Sequence, residues 1–166
     1  MSNSLSLTPL VIGDVVAPLP VIQAGMGLQV SKSALAGAVS RAGAIGCISS
    51  VGLGTLENSL ADYIRDSNER LAEEIDMTRR IAPDGILAVN VMVALKNYGD
   101  IVDVCVQKGV DIIISGAGLP LNLPQLIGDS SIKLVPVVSS GRAMNVIMRT
   151  WHRRYQRLPD AVIVEG

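Results

Sequence analysis

Apolar runs of strand length, rich in Val and Ile, alternate along the chain with longer segments whose apolar residues recur at helical spacing. The runs predict strands over Pro20–Ala24, Ala44–Ile48, Gly85–Met92, Val110–Ser115, Lys133–Val138 and Ala161–Glu165. Each run is nearly continuous rather than alternating, the pattern of strands covered on both faces, so the sheet is expected to be parallel. Between them, Ser31 is placed to cap a helix reaching about Ala42, with Leu35, Ala38, Val39 and Ala42 as its apolar stripe and Gly43 as its stop. A long helix is predicted over 58–81, left at Pro83-Asp84-Gly85, and another opens at Asp100 and ends at Gly109. A short helix over Leu121–Ile127 is interrupted by Pro124, and a last one covers Gly141–Arg157.

This is a βα unit repeated five times with a sixth strand after it, joined by right-handed crossovers. A doubly wound open sheet would be complete with six strands. A (β/α)8 barrel needs eight, and usually about 250 residues. The strand ends separate the two. No GxGxxG opens a helix, so a dinucleotide crevice has little support.

Function in either architecture collects at the carboxyl ends of the strands. The first ends in Ala24-Gly25-Met26-Gly27, the second in Ser49-Ser50, and the third carries Asn90. The fourth ends in Ser115-Gly116-Ala117-Gly118, the fifth in Ser139-Ser140-Gly141 and the sixth in Glu165-Gly166. Apart from Glu165 this ring is small or neutral polar, with no His, Cys, Lys or Asp to serve as base or nucleophile. Such a ring suits a flat, polar cofactor, because glycine lets backbone approach a ring system and Asn both donates to and accepts from a heterocycle edge. Gly and Ser are also ordinary turn residues, so spacing alone leaves turn chemistry as the alternative. Asn90 lies inside the apolar run 88–92, where it needs a partner, and Met26 could equally plug the core.

Composition narrows the classes. Apolar residues are 49% and charged residues 17% of 166, enough for one sizeable core, so a single domain over the whole chain is expected. A net charge of −1 gives no basic field for nucleic acid or an anionic membrane. No run approaches the roughly 18 apolar residues of a membrane span, and the start lacks the features of a signal peptide. Cys47 and Cys105 lie in apolar runs without CxxC spacing, which predicts buried thiols and a cytoplasmic setting. His152, Arg79-Arg80 and the Arg149–Arg157 cluster read as solvated helix surface or an oligomer contact.

With these residues in view, the chain resembles the nitronate monooxygenase (2-nitropropane dioxygenase-like) family and, close behind it, the flavin-dependent enoyl-acyl carrier protein reductases. The resemblance runs from Pro20 to Gly166. It is carried by Pro-Val-Ile-Gln-Ala-Gly-Met-Gly at 20–27, Leu-Ala-Gly-Ala-Val-Ser-Arg-Ala-Gly at 35–43, Ala-Val-Asn-Val at 88–91, Ser-Gly-Ala-Gly at 115–118, Pro-Val-Val-Ser at 136–139 and Asp-Ala-Val-Ile-Val-Glu-Gly at 160–166. It implies a TIM-type barrel holding FMN over the strand tips, with Ala24–Gly27 along the flavin by their backbone, Asn90 in contact with FMN, and Glu165 approaching it. The ring adds Ser115, Gly116, Gly118 and Ser139 as cofactor-contacting positions.

The resemblance also implies a small-molecule substrate, either an alkyl nitronate oxidised with oxygen or an enoyl thioester reduced by NAD(P)H. The family continues past its Glu-Gly with Ala-Gly-Gly-His, whose histidine is the catalytic base. This chain is therefore expected to hold the first six barrel strands without a catalytic residue and to be inactive alone. Two open sheet edges then invite pairing with a copy of itself or a complementing chain, and a non-catalytic half-barrel acting through such a partner is the alternative of another class.

Overall fold

The computed structural model describes residues 7–55 and 59–165. Five strands form one parallel sheet in sequential order: β3 (Gly46–Ser49), β4 (Leu87–Met92), β5 (Ile112–Gly116), β6 (Lys133–Val138) and β7 (Ile163–Val164). The segment predicted as the first strand, 20–24, joins beside β3 through a single parallel bridge, Ile22 to Ile45, so it extends the same order by one. A doubly wound sheet reverses its strand order at a switch point, and none occurs here. The result is an α/β half-barrel, a curled sheet with helices on its outer side.

The helices are α1 (Ser33–Arg41), α2 (Leu60–Ile81), α3 (Tyr98–Lys108), α4 (Leu123–Ile127) and α5 (Gly141–Tyr155). Ser59 caps α2 by accepting from the Asp62 amide, and Ser140 caps α5 by accepting from the Ala143 amide. Gly109 ends α3 in the left-handed conformation at φ +63°. Pro124 does not interrupt α4, because it lies in the first turn, where its missing N–H has no intrahelical partner.

Two expectations about α1 are corrected. Ser31 is not its cap: the first helical amide, Ser33 N, donates to Glu74 Oε2 at 2.7 Å, so a carboxylate from α2 takes the capping role, and Lys32 pairs with the same group at 2.9 Å. The buried stripe is Ser33, Ala36, Gly37 and Ser40, while Leu35, Ala38 and Ala42 face outward. Close packing overrides hydropathy here. A Cβ on Gly46 would collide with the Ala36 carbonyl, and one on Gly37 would come within 2.8 Å of the Ile81 side chain, so only small residues fit between α1, β3 and α2.

The N-terminal hairpin was not predicted. Strands β1 (Leu10–Ile12) and β2 (Val15–Ala17) pair antiparallel around Gly13-Asp14, with Gly13 at φ +61°. Glycine at the first position of a two-residue hairpin loop is what such a turn requires. Ile12 and Ala17 pack with Ile45, Cys47, Ala88, Ile112, Ile114 and Val135, so the hairpin plugs the concave side of the sheet. A larger core fills the space between the convex side and the helices, with Trp151 of α5 fully buried and donating from Nε1 to the Pro120 carbonyl at 2.9 Å.

At the amino ends of the strands, polar groups are closed off in a repeated arrangement. Asp111 Oδ2 accepts from Leu87 N at 2.7 Å and from Arg79 at 3.0 Å, and Arg79 also donates to the Gly85 and Gly109 carbonyls. One strand pair further on, Asp160 Oδ2 accepts from Leu134 N at 2.8 Å and from Arg157, which also donates to the Ile132 carbonyl. Arg79 and Arg157, expected on solvated surface, are structural clasps. His152 is exposed. No described helix is long and apolar enough to cross a membrane.

Candidate functional site

At the carboxyl ends of the strands lies an open cleft of about 480 Å³, within the range of ligand sites. Ile22, Ile114, Val137 and Ile163 form its apolar floor, and Gln23, Ala24, Gly25, Asn90 and Glu165 supply its polar rim. A second cleft of about 500 Å³ opens at the opposite end, beside Val16, Arg41 and Asp84. In barrels of this kind function sits at the carboxyl end, which favours the first.

The centre of the site is a close contact between Gly25 and Asn90. A Cβ built on Gly25 would collide with Cβ of Asn90, so this position admits glycine alone. Asn90 itself is held by the sheet: its carbonyl accepts from Ser50 N at 3.1 Å and from Ser50 Oγ at 2.9 Å, and it pairs in register with Ser49 and Ile114. Its half-buried carboxamide makes no hydrogen bond among the described residues and lies on the cleft wall. Such a group can donate to and accept from a ligand.

The Gly25 loop is organised by two side chains. Gln23 Oε1 accepts from Cys47 N at 3.1 Å, while Nε2 is 2.9 Å from the Cys47 carbonyl, 2.9 Å from Ser31 Oγ and 3.0 Å from the Ala24 carbonyl. The ladder between the first strand and β3 ends at the bridge, and the Gln23 carboxamide continues it by pairing with both backbone groups of Cys47. Ser31 is 1% exposed; its hydroxyl donates to the Ala24 carbonyl and accepts from Met26 N, both at 2.9 Å. Sequence reasoning quoted Gln23 within a motif but gave it no role. The available signal was a carboxamide at the end of an apolar strand run.

Of the expected site residues, Ala24, Gly25, Asn90 and Glu165 share the cleft. Gly27 packs over Val51, and Met26 is 58% exposed outside the cleft wall. Ser115 faces the other way: its hydroxyl lies 3.2 Å from Tyr98 Oη, in the layer between sheet and α3. Burial, partly offset by that Ser115 contact, raises the Tyr98 phenol to about 12. Gly116 and Gly118 lie against Val137 and Val93, and Ser139 is exposed at the end of β6. None of Ser115, Gly116, Gly118 or Ser139 lines the cleft. Beneath Gly25, burial pushes the Cys47 thiol up to about 12, so it stays neutral and unreactive. Gly166 lies outside the described residues.

The fold is that of an α/β barrel with a cleft at its strand tips, where Glu165 is the one ionisable side chain among the described lining residues. The sequence model of the nitronate monooxygenase family matches residues 12–102, more than half of the chain, and the chain belongs to that family of oxidoreductases. No curated protein matches it.

Among solved structures, FabK from Thermotoga maritima superposes with a TM-score of 0.69 at 28% identity, over 89% of this chain and 40% of that one. Nitroalkane oxidase from Streptomyces ansochromogenes does so with a TM-score of 0.70 at 18% identity, over 90% and 46%. The enoyl reductase domain of MlnA from Bacillus amyloliquefaciens gives 0.58 at 10% identity, over 86% and 38%. The latter two likenesses speak for the fold alone. The chain spans less than half the length of each of these structures.

Proposed function

We propose that this chain forms the flavin-holding part of an FMN-dependent oxidoreductase that oxidises alkyl nitronates with oxygen. The observation that carries the reading is the contact of Gly25 with Asn90 at the strand tips, in a member of the nitronate monooxygenase family. A glycine that no Cβ could replace lets backbone approach a flat ring, and an unpartnered carboxamide beside it matches a ring edge carrying donors and acceptors. The residues present therefore fit FMN. Ala24, Gly25 and Asn90 would hold it, with Glu165 across the cleft.

Bound FMN would supply the electron transfer between nitronate and oxygen, chemistry that side chains alone do not provide. The protein's part is to orient the ring system and to keep water from its buried face. Ile22, Ile114, Val137 and Ile163 give that face an apolar floor. Among the described residues of the cleft, the Glu165 carboxylate is the one group able to accept a proton.

The first test is the visible absorption spectrum of the chain titrated with FMN, followed by oxygen uptake on alkyl nitronates by the full-length protein. Bound, releasable FMN with nitronate-dependent oxygen uptake supports the reading, and FMN binding without uptake sinks the substrate assignment. Reduction of an enoyl thioester is the second reading, favoured by the greater identity to FabK than to nitroalkane oxidase. It predicts enoyl-dependent consumption of NAD(P)H instead.

A further inference from the structure

The loop at Ala24–Gly27 has more polar backbone groups than it presents to the cleft, and two side chains decide which ones remain. Ala24 C=O is taken up by Met26 N, Gln23 Nε2 and Ser31 Oγ. Met26 N donates to Ser31 Oγ and to Ala24 C=O, and Met26 C=O accepts from Ser31 N. Gly27 C=O accepts from Val30 N. Among the described residues, the N–H groups of Ala24, Gly25 and Gly27 and the carbonyl of Gly25 have no such partner. Gly25 is thus the one residue of the loop with both its donor and its acceptor free, and it is also the residue seated against Asn90. Gly25 is half-buried while Ala24 and Met26 are exposed, so the free groups of Gly25 are the ones best placed to meet a ligand in the cleft.

We infer that Gln23 and Ser31 are positioning residues: by consuming Ala24 C=O and Met26 N–H and tying the loop to Cys47, they present the Gly25 N–H and C=O, beside the Asn90 carboxamide, as one edge for a planar heterocycle with adjacent donor and acceptor. This rests on the flavin reading above and names the residues that set its geometry. Ser31 lies on the chain entering α1 and Gln23 on the chain leaving the first strand, so together they close the loop at both ends. Neither residue need touch the ligand to act, since their effect passes through the loop backbone.

Amide hydrogen exchange of the full chain, resolved by residue, tests this without and with FMN. The Met26 amide should be protected before FMN is added and unchanged afterwards, while Gly25 and Gly27 gain protection only with FMN. In Ser31→Ala, Met26 protection should fall, FMN affinity drop about tenfold, and the visible bands of bound flavin shift, with the melting temperature of the FMN-free chain lowered by only a few degrees. Gln23→Glu, which keeps the acceptor for Cys47 N and removes the donors, should act in the same direction, and it serves if Ser31→Ala fails to fold. An exposed Met26 amide in the wild-type chain, or FMN bound with equal affinity and spectrum by wild type and variants, overturns the inference. A wild-type chain that protects Met26 yet binds no FMN overturns the flavin reading instead, and with it the ligand assigned to Gly25.

Discussion

The two ends of the sheet handle their polar groups in opposite ways. At the amino end, Asp111 and Asp160 each accept from a backbone amide of the preceding strand and from an arginine, and Lys133 reaches Asp14 of the hairpin turn at 2.7 Å. That Lys133 contact holds the Asp14 carboxyl below its ordinary range. At the carboxyl end, Gly25 and Asn90 keep donors and acceptors unused beside an open cleft. Polar groups that satisfy one another hold the fold, whereas groups left unsatisfied at half-buried positions are available to a ligand. One sheet thus separates stability and binding along its strand axis.

That separation can be broken most sharply at Gly25. Gly25→Ala drives a methyl group into Asn90, so the loop must shift, and FMN affinity of the folded fraction measured by flavin fluorescence should fall about a hundredfold, roughly 2.7 kcal/mol. Equal FMN affinity would dissolve the contrast. Asp111→Ala should do the reverse, destabilising the fold by about 1–3 kcal/mol in urea titrations by stranding Leu87 N and removing the Arg79 ion pair, while leaving FMN affinity of the folded fraction unchanged.

A smaller effect is expected with pH. Burial of Glu74 raises its pKa, but the hydrogen bonds from Ser33 and the Lys32 contact outweigh this and hold the carboxyl below 4.5. The ionised form therefore favours the folded state. Its contribution is complete above pH 4.5 and is lost as pH falls through the lower folded value. Melting temperature followed from pH 6 to 3 should drop less steeply in Glu74→Gln than in wild type, and parallel curves would remove Glu74 from the account. The smallest change is expected in thiol alkylation at pH 8. Cys47 and Cys105, both buried and raised by burial, should stay unmodified until the chain unfolds.

The inner strands were legible because burial on both faces leaves nearly continuous apolar runs, as at 87–92 and 112–116. The hairpin was not, since two strands of three residues are too short to carry a period, and only Gly13-Asp14 marked it. The stripe on α1 was misjudged because hydropathy ranks Leu35 above Gly37, while the distance to Ile81 decides which one can face inward. Asn90 and Gly25 were legible as a polar residue in an apolar run and a glycine at a strand tip. Gln23 was not, because a side chain that completes a backbone ladder is defined by the neighbouring strand. Ser115 illustrates the same limit: which face a tip residue takes depends on register, and the pairing of Val91 with Ser115 turns both toward the helices.

The hairpin plug also has a kinetic meaning. Asp14, near the start of the chain, reaches Lys133 on β6, and Ile12 and Ala17 pack with Ile112, Ile114 and Val135. Closing so long a loop costs entropy that local contacts cannot offset in advance. A hairpin whose seat is made by β5 and β6 is synthesised before its partners exist, so its docking has to wait for them.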